Sequence, residues 1–299
     1  MIGRMFWRLL CIFGVTRILP TSLFVRLQYA CWHGGWLHLD SPRDFNEKIQ
    51  WLKLHYRNPL MVTCADKYEV RKFVGQRIGE KYLNVCLGVY EHPEDIDFSA
   101  LPESFVLKAT QGASWNIICP DKQKLNVPAA IQTMRKWVEK DFYEYSREWQ
   151  YHVARKRIVC EKFLEDPVHK ELRDYKLFTF RGVVKYIWVD YYQAINGKRV
   201  HCRNFYDPDW NYQKGKGVSF PSLESVVIPK PECLDELKSL ATKLASDFPQ
   251  CRVDFYVLED RRIVFGELTF TSFGGCGAIY PDSFCRELGD YIELPKADI

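Results

Sequence analysis

Cys251-Arg252-Val253-Asp254-Phe255-Tyr256-Val257-Leu258 and Ile263-Val264-Phe265-Gly266-Glu267-Leu268-Thr269-Phe270 are two β-type runs joined by the charged turn Glu259-Asp260-Arg261-Arg262. Alternation puts Val253, Phe255 and Val257 on one face and Arg252, Asp254 and Tyr256 on the other. A symmetric turn that pairs 258 with 263 sets Asp254 opposite Glu267 and Arg252 opposite Thr269. Two carboxylates so placed have Cβ atoms about 5 Å apart and repel unless something compensates. A divalent cation removes the conflict, and oxygen-only ligands favour magnesium or manganese over zinc. Two alternatives stand beside this reading: both carboxylates are solvated, or a bulge shifts the register.

A second candidate lies upstream. Phe105-Val106-Leu107-Lys108-Ala109-Thr110 is a strand, and Asn116-Ile117-Ile118-Cys119 resumes it after Gln111-Gly112-Ala113-Ser114-Trp115. A short glycine-containing turn exposes backbone N–H groups that can wrap an anion, and the Lys108 ammonium adds charge. The spacing is not that of a P-loop, so a solvated lysine at a hairpin turn explains the pattern equally.

The remaining pattern alternates helices with strands. Residues 43–75 carry apolar side chains at near-helical spacing, broken by Asn58-Pro59, and 129–143 predicts another helix. Leu234, Leu237, Leu240, Leu244 and Phe248 mark an amphipathic helix. Residues 157–164, 176–180 and 183–191 read as strands, the last two around Arg181-Gly182, while the polar, basic stretch 196–217 reads as a loop. The sum is an α+β fold with mostly antiparallel strands, without a GxGxxG fingerprint.

Composition narrows the function classes. The 299 residues carry 42 Lys+Arg against 38 Asp+Glu, a net charge of +4 that is too small to make nucleic acid the main partner. Eleven cysteines form no CxxC pair and the seven histidines are scattered, which suits a reduced, cytoplasmic setting without a zinc site. Aromatics make up 15% of the chain. Most should be core, with Trp115, Phe205, Tyr206, Trp210 and Tyr212 left over as platforms for adenine or sugar rings. Residues 1–19 hold a short apolar run flanked by Arg4, Arg8 and Arg17. It is too short to span a bilayer and reads as a helix packed on the core, or one lying on the inner membrane face.

Taken in order, the motifs resemble the TupA-like ATP-grasp family of bacterial surface-polysaccharide loci. The matching stretches include Phe45-Asn46-Glu47-Lys48-Ile49-Gln50-Trp51-Leu52, Asn58-Pro59-Leu60-Met61, Ala65-Asp66-Lys67-Tyr68 and Leu101-Pro102 with Phe105-Val106-Leu107-Lys108. They continue through Arg147-Glu148-Trp149-Gln150-Tyr151, Glu161-Lys162-Phe163-Leu164, Asp174-Tyr175-Lys176 and Phe205-Tyr206-Asp207-Pro208-Asp209-Trp210-Asn211, and end in the hairpin. The resemblance implies an ATP-grasp fold of two α+β lobes. Residues 1–95 form a helical N-terminal region, 96–160 the first lobe and 161–299 the second, with the metal-binding hairpin.

It further implies that ATP lies between the lobes. Lys67 and Lys108 match phosphate-holding lysines, and Gln111, Gly112 and Ser114 fall in the mobile loop. Glu161 to Leu164 match the hinge that meets the adenine. Asp174 stands where a carboxylate binds ribose, with Lys176 able to reach a phosphate instead. Asp254, Glu267 and Thr269 match the magnesium ligands, manganese being an alternative. Thr269 replaces the asparagine frequent in such enzymes, which places a second ion in doubt. Lys108 and Arg252 are the expected catalytic groups, Arg252 stabilising the transferring phosphoryl group or an oxyanion.

The implied reaction is amide formation through an acyl phosphate, joining a uronic acid, free or nucleotide-linked, to an amino acid or small amine. Asp254→Asn should then abolish ADP formation without unfolding. A glycosyltransferase using a nucleotide sugar is the alternative, with Asp95-Ile96-Asp97 and Asp207-Pro208-Asp209 as its Asp-x-Asp candidates.

Overall fold

The computed structural model describes residues 2–165, 172–258 and 261–296; Glu259 and Asp260 of the expected turn lie outside them. The chain opens with helices α1 (Ile2–Ile12), α2 (Val15–Ile18) and α3 (Thr21–His33), followed by α4 (Phe45–His55), α5 (Leu60–Ala65) and α6 (Val70–Arg77). Asp44 starts α4 by accepting the Glu47 N–H at 2.9 Å, which satisfies one donor of the first turn. The Asn58-Pro59 break separates α4 from α5, as the sequence predicts.

A four-stranded antiparallel sheet follows. It contains β1 (Cys86–Tyr90), β2 (Phe105–Ala109), β3 (Asn116–Cys119) and β4 (Ile158–Lys162), in the order β1-β4-β2-β3. Between β3 and β4 lie α7 (Val127–Glu139), α8 (Tyr143–Ser146) and α9 (Trp149–Val153). Asn126 caps α7 through the Ala129 N–H. The helix expected to reach 143 stops at Glu139, because Lys140 is extended and Asp141 starts a new turn by accepting the Tyr143 N–H.

The second sheet has five strands in the order β10-β9-β5-β6-β7, every pairing antiparallel. They are β5 (Asp174–Phe180), β6 (Val183–Ile195), β7 (Lys198–Tyr206), β9 (Cys251–Val257) and β10 (Ile263–Thr269). The short β8 (Gly217–Val218) pairs with β11 (Ile279–Tyr280). Helix α10 (Leu234–Ala245) precedes β9, and α11 (Asp282–Asp290) follows β11. The α+β class expected from the sequence is the class observed.

The loop expected over 196–217 is corrected at 198–206. Asn196 and Gly197 both have positive φ, 50° and 72°, and form the tight hairpin turn this dipeptide favours. β7 therefore pairs with β6 from Lys198 to Tyr206. That pairing buries Phe205 and Tyr206, so neither is an open platform. Trp210 instead stacks on Tyr206, ring centroids 4.3 Å apart.

Alternation gives the five-stranded sheet two distinct faces. Tyr175, Leu177, Ile187, Val189, Val253 and Phe255 pack into a core shared with α6 and α10. On the other face Phe178, Phe180, Trp188 and Phe205 pack against α4 and α11. The same face continues, two residues further along each strand, into charged groups: Lys176, Asp190, Arg203, Arg252 and Asp254. This polar end of the face positions the candidate site.

Candidate functional site

The expected Asp254–Glu267 pairing exists, by a different route. Leu258 donates its N–H to the Arg262 carbonyl at 3.0 Å and Ile263 pairs with Val257, one residue off the symmetric turn. A bulge at Gly266 restores the register, so Glu267 faces Asp254 and Thr269 faces Arg252. A Cβ at Gly266 would lie 3.1 Å from the Asp254 carbonyl oxygen, so the close approach of the two strands suits glycine there.

The carboxylates are compensated by cations of the protein. Arg252 is bidentate to Asp254 at 2.7 and 2.6 Å and also reaches Glu267 at 2.9 Å. Lys176 donates to Asp254 at 2.7 Å and to Asp174. The Thr269 hydroxyl donates to Glu267 at 3.2 Å, which orients that carboxylate. Burial alone would raise the Asp254 pKa, but Arg252 and Lys176 outweigh it and hold the group below its usual range. Asp174 moves the other way, because burial, with the negative charge of Asp254, exceeds the help from Lys176.

A cavity of about 220 Å³ lies between this sheet face and the first sheet. Asp174, Lys176, Asp254 and Glu267 form one wall; Lys108, Ser114 and Glu161 form the opposite one, with Lys67 beside them. Lys108 donates to Glu161 at 2.7 Å. Lys67 donates to the Gly112 carbonyl at 2.7 Å and, among the described residues, makes no ion pair. Burial, with repulsion from Lys108, lowers its pKa, so a bound anion would relieve it.

Gln111, Gly112, Leu164, Arg252 and Thr269 do not reach the cavity wall. Gln111 is wholly buried and donates to the carbonyls of Trp137 and Lys140, which anchors the turn. Trp115 does line the cavity, lying parallel to Trp137 with ring centroids 6.5 Å apart. Sequence reasoning missed Arg71, Asn84, Asn116 and Tyr256, which also line it. Arg71, in the first turn of α6, lies 3.5 Å from Glu161. The connector residue Asn84 carried no signal in the sequence.

The two carboxylates suit magnesium in type and number, with Glu267 open to the cavity and Asp254 needing to give up a contact with Arg252 or Lys176 to bind it. Among the described residues no group of three or more His, Cys, Asp or Glu is placed to hold a metal. Magnesium normally takes one or two carboxylates and completes its shell with substrate phosphates and water. Asp254 and Glu267 supply that number. The two Asp-x-Asp candidates lie elsewhere: Asp97 accepts from Ser99, and Asp207 from Asp209 and Asn211, as local turn caps.

A further buried acid, Glu148, lies close enough to Glu267 for their like charges to repel. Burial pushes its pKa up to about 7 from an ordinary 4.5, against the pull of Lys53, Thr271 and Gln150. The folded state therefore keeps this proton to higher pH than the unfolded chain. The stability it contributes is complete below about 4.5 and is lost as pH rises through about 7. Relative to Glu148→Gln, the native chain should lose on the order of 3 kcal/mol between these limits, read by denaturant titration at several pH values. A difference that stays constant with pH would contradict this assignment.

The family model described as TupA-like ATPgrasp matches residues 47–293. Among solved structures, D-alanine–D-alanine ligase from Bacillus anthracis is 17% identical at a TM-score of 0.46, over 77% of this chain and 66% of its own. N5-carboxyaminoimidazole synthetase from Staphylococcus aureus complexed with ADP is 13% identical at 0.41, over 74% of this chain and 50% of its own. The chain thus spans just under two thirds of the first and half of the second. No curated protein matches.

Proposed function

The chain belongs to the TupA-like ATP-grasp family, and from that premise we propose that it is an ATP-dependent carboxylate–amine ligase. It would attach an amino acid or small amine to a uronic acid of a bacterial surface polysaccharide. The observation that carries this reading is one cavity in which Lys67, without an ion pair among the described residues, stands beside Lys108 and across from the paired carboxylates Asp254 and Glu267. Such an arrangement suits a polyphosphate whose negative charge is met from both sides.

In this reading Lys67 and Lys108 hold the phosphates, Lys108 exchanging Glu161 for a phosphate oxygen. Trp115, which lines the cavity, would border the base. Magnesium held by Asp254 and Glu267 would neutralise phosphate oxygens. The substrate carboxylate attacks the γ-phosphorus and the bond to the ADP oxygen breaks, giving an acyl phosphate and ADP. The amine nitrogen then attacks the acyl carbon, loses a proton, and phosphate departs with the C–O electron pair. Arg252, fixed by Asp254 and Glu267 behind the wall, acts as a positioning residue that keeps both carboxylates oriented.

Incubation with ATP, magnesium, nucleotide-linked uronic acids and a panel of amines tests the proposal. Mass spectrometry should find ADP and a product equal to acid plus amine less one water. Nucleoside diphosphate released from a nucleotide sugar without ATP would instead identify a glycosyltransferase.

A further inference from the structure

Helix α1 carries two apolar faces, and the fold uses one. At about 100° per residue, Gly3, Trp7 and Leu10 share the side that meets α3. Trp7 is buried, its ring edge-on to Phe24 at 4.9 Å and to Trp32 at 6.0 Å. A Cβ on Gly3 would stand 2.6 Å from the Cys31 carbonyl oxygen, so the two helices touch backbone to backbone. Ile2, Met5, Phe6, Leu9, Ile12 and Phe13 lie on a separate arc of about 120°. All six are exposed, Ile2 at 79%, Ile12 at 75% and Phe13 at 77%. Ile18 in α2 is exposed as well. A contiguous apolar surface of this kind marks an interaction site.

Charge selects the partner. Residues 1–39 contain Arg4, Arg8, Arg17 and Arg26 and no Asp or Glu. Arg8 borders the exposed arc on the same helix and Arg4 stands about 80° from its edge; both are exposed. Arg17 is paired with Glu144 of α8 at 3.4 Å, Arg26 donates to the Leu37 carbonyl and Arg4 lies over the Trp32 ring at 5.8 Å, so Arg8, with the exposed Arg4 beside it, supplies the charge open to an outside anion. A symmetric pairing of two copies through this arc would bring like arginines together. An anionic bilayer matches both features, because acyl chains accept the apolar arc while phosphates meet the arginines. Eleven residues extend roughly 16 Å, half of a bilayer's hydrocarbon core. Among the described residues no helix is long and apolar enough to cross a membrane.

We propose that α1 docks the protein in the plane of an anionic phospholipid surface through Ile2, Met5, Phe6, Leu9, Ile12 and Phe13, with Arg4 and Arg8 at the headgroup phosphates. This inference is independent of the reaction assigned to the cavity.

Vesicle flotation of the full chain tests it, using phosphatidylcholine alone and phosphatidylcholine mixed with phosphatidylglycerol. Binding should favour the mixed vesicles and weaken with salt. Phe6→Ser combined with Phe13→Ser should lower the partition coefficient at least about tenfold. Arg4→Gln combined with Arg8→Gln should lower it about tenfold on anionic vesicles and little on neutral ones. Both pairs are exposed, so circular dichroism and melting should match the native chain. Absence of flotation with anionic vesicles overturns the proposal, as does binding unchanged by either pair. Dimerisation in light scattering that the phenylalanine pair dissolves would overturn it in favour of a second copy.

Discussion

Glu267→Gln is expected to lower ADP formation by roughly 10²- to 10³-fold while leaving the fold intact. The side chain is 45% exposed toward the cavity, and its amide counterpart still offers an oxygen to Arg252 and Thr269. What disappears is the negative charge that complements a magnesium–phosphate group, so the loss should fall on turnover and on the magnesium concentration required. An ADP-coupled assay at several magnesium concentrations, with a thermal melt alongside, separates the two effects. Turnover within threefold of the native chain would remove Glu267 from the machinery.

Asp254→Asn should behave differently and fail first in stability, by about 3–5 kcal/mol. Its side chain is 3% exposed, and each oxygen already accepts from a cation. An amide removes the charge and turns an NH₂ toward Arg252 or Lys176, leaving two buried cations short of neutralisation. A fall in Tm of roughly 10 °C follows for a chain of this size. The expectation that this variant abolishes turnover without unfolding therefore changes: lost activity alone would not distinguish chemistry from collapse. The pH dependence does distinguish them. Asp254 is held below the usual carboxylate range, so its stabilisation is present above that range and vanishes as pH falls through the depressed value. The native chain's advantage over Asp254→Asn should shrink in acid, as chemical denaturation would record. An advantage that does not shrink would show that Asp254 is not the paired anion described above.

Much of the cavity wall was legible beforehand because strand alternation is local. The period of two placed Asp254 with Arg252, and Glu267 with Thr269, on common faces without knowledge of what covered them. The Asp254–Glu267 pairing itself came out right although two details behind it were not: the turn is one residue short and the Gly266 bulge restores it. Asn196-Gly197 carries a hairpin signature, but the polar, basic residues around it have the composition of a loop, and only the pairing with β6 defines β7.

By itself, the sequence determined the α+β class, the strands that carry the paired carboxylates and Lys108, and family membership, since each depends on short-range periodicity or ordered motifs. Tertiary structure decided which charge meets which. Arg252 lies behind the wall binding both carboxylates, Lys108 rests on Glu161, and Lys67 faces the cavity without an ion pair among the described residues. It also decided which apolar face of α1 is spent on α3 and which is left outward. These outcomes depend on burial and on contacts between segments far apart in the chain, where desolvation makes the choice of partner, rather than the residue's identity, set its charge state and role.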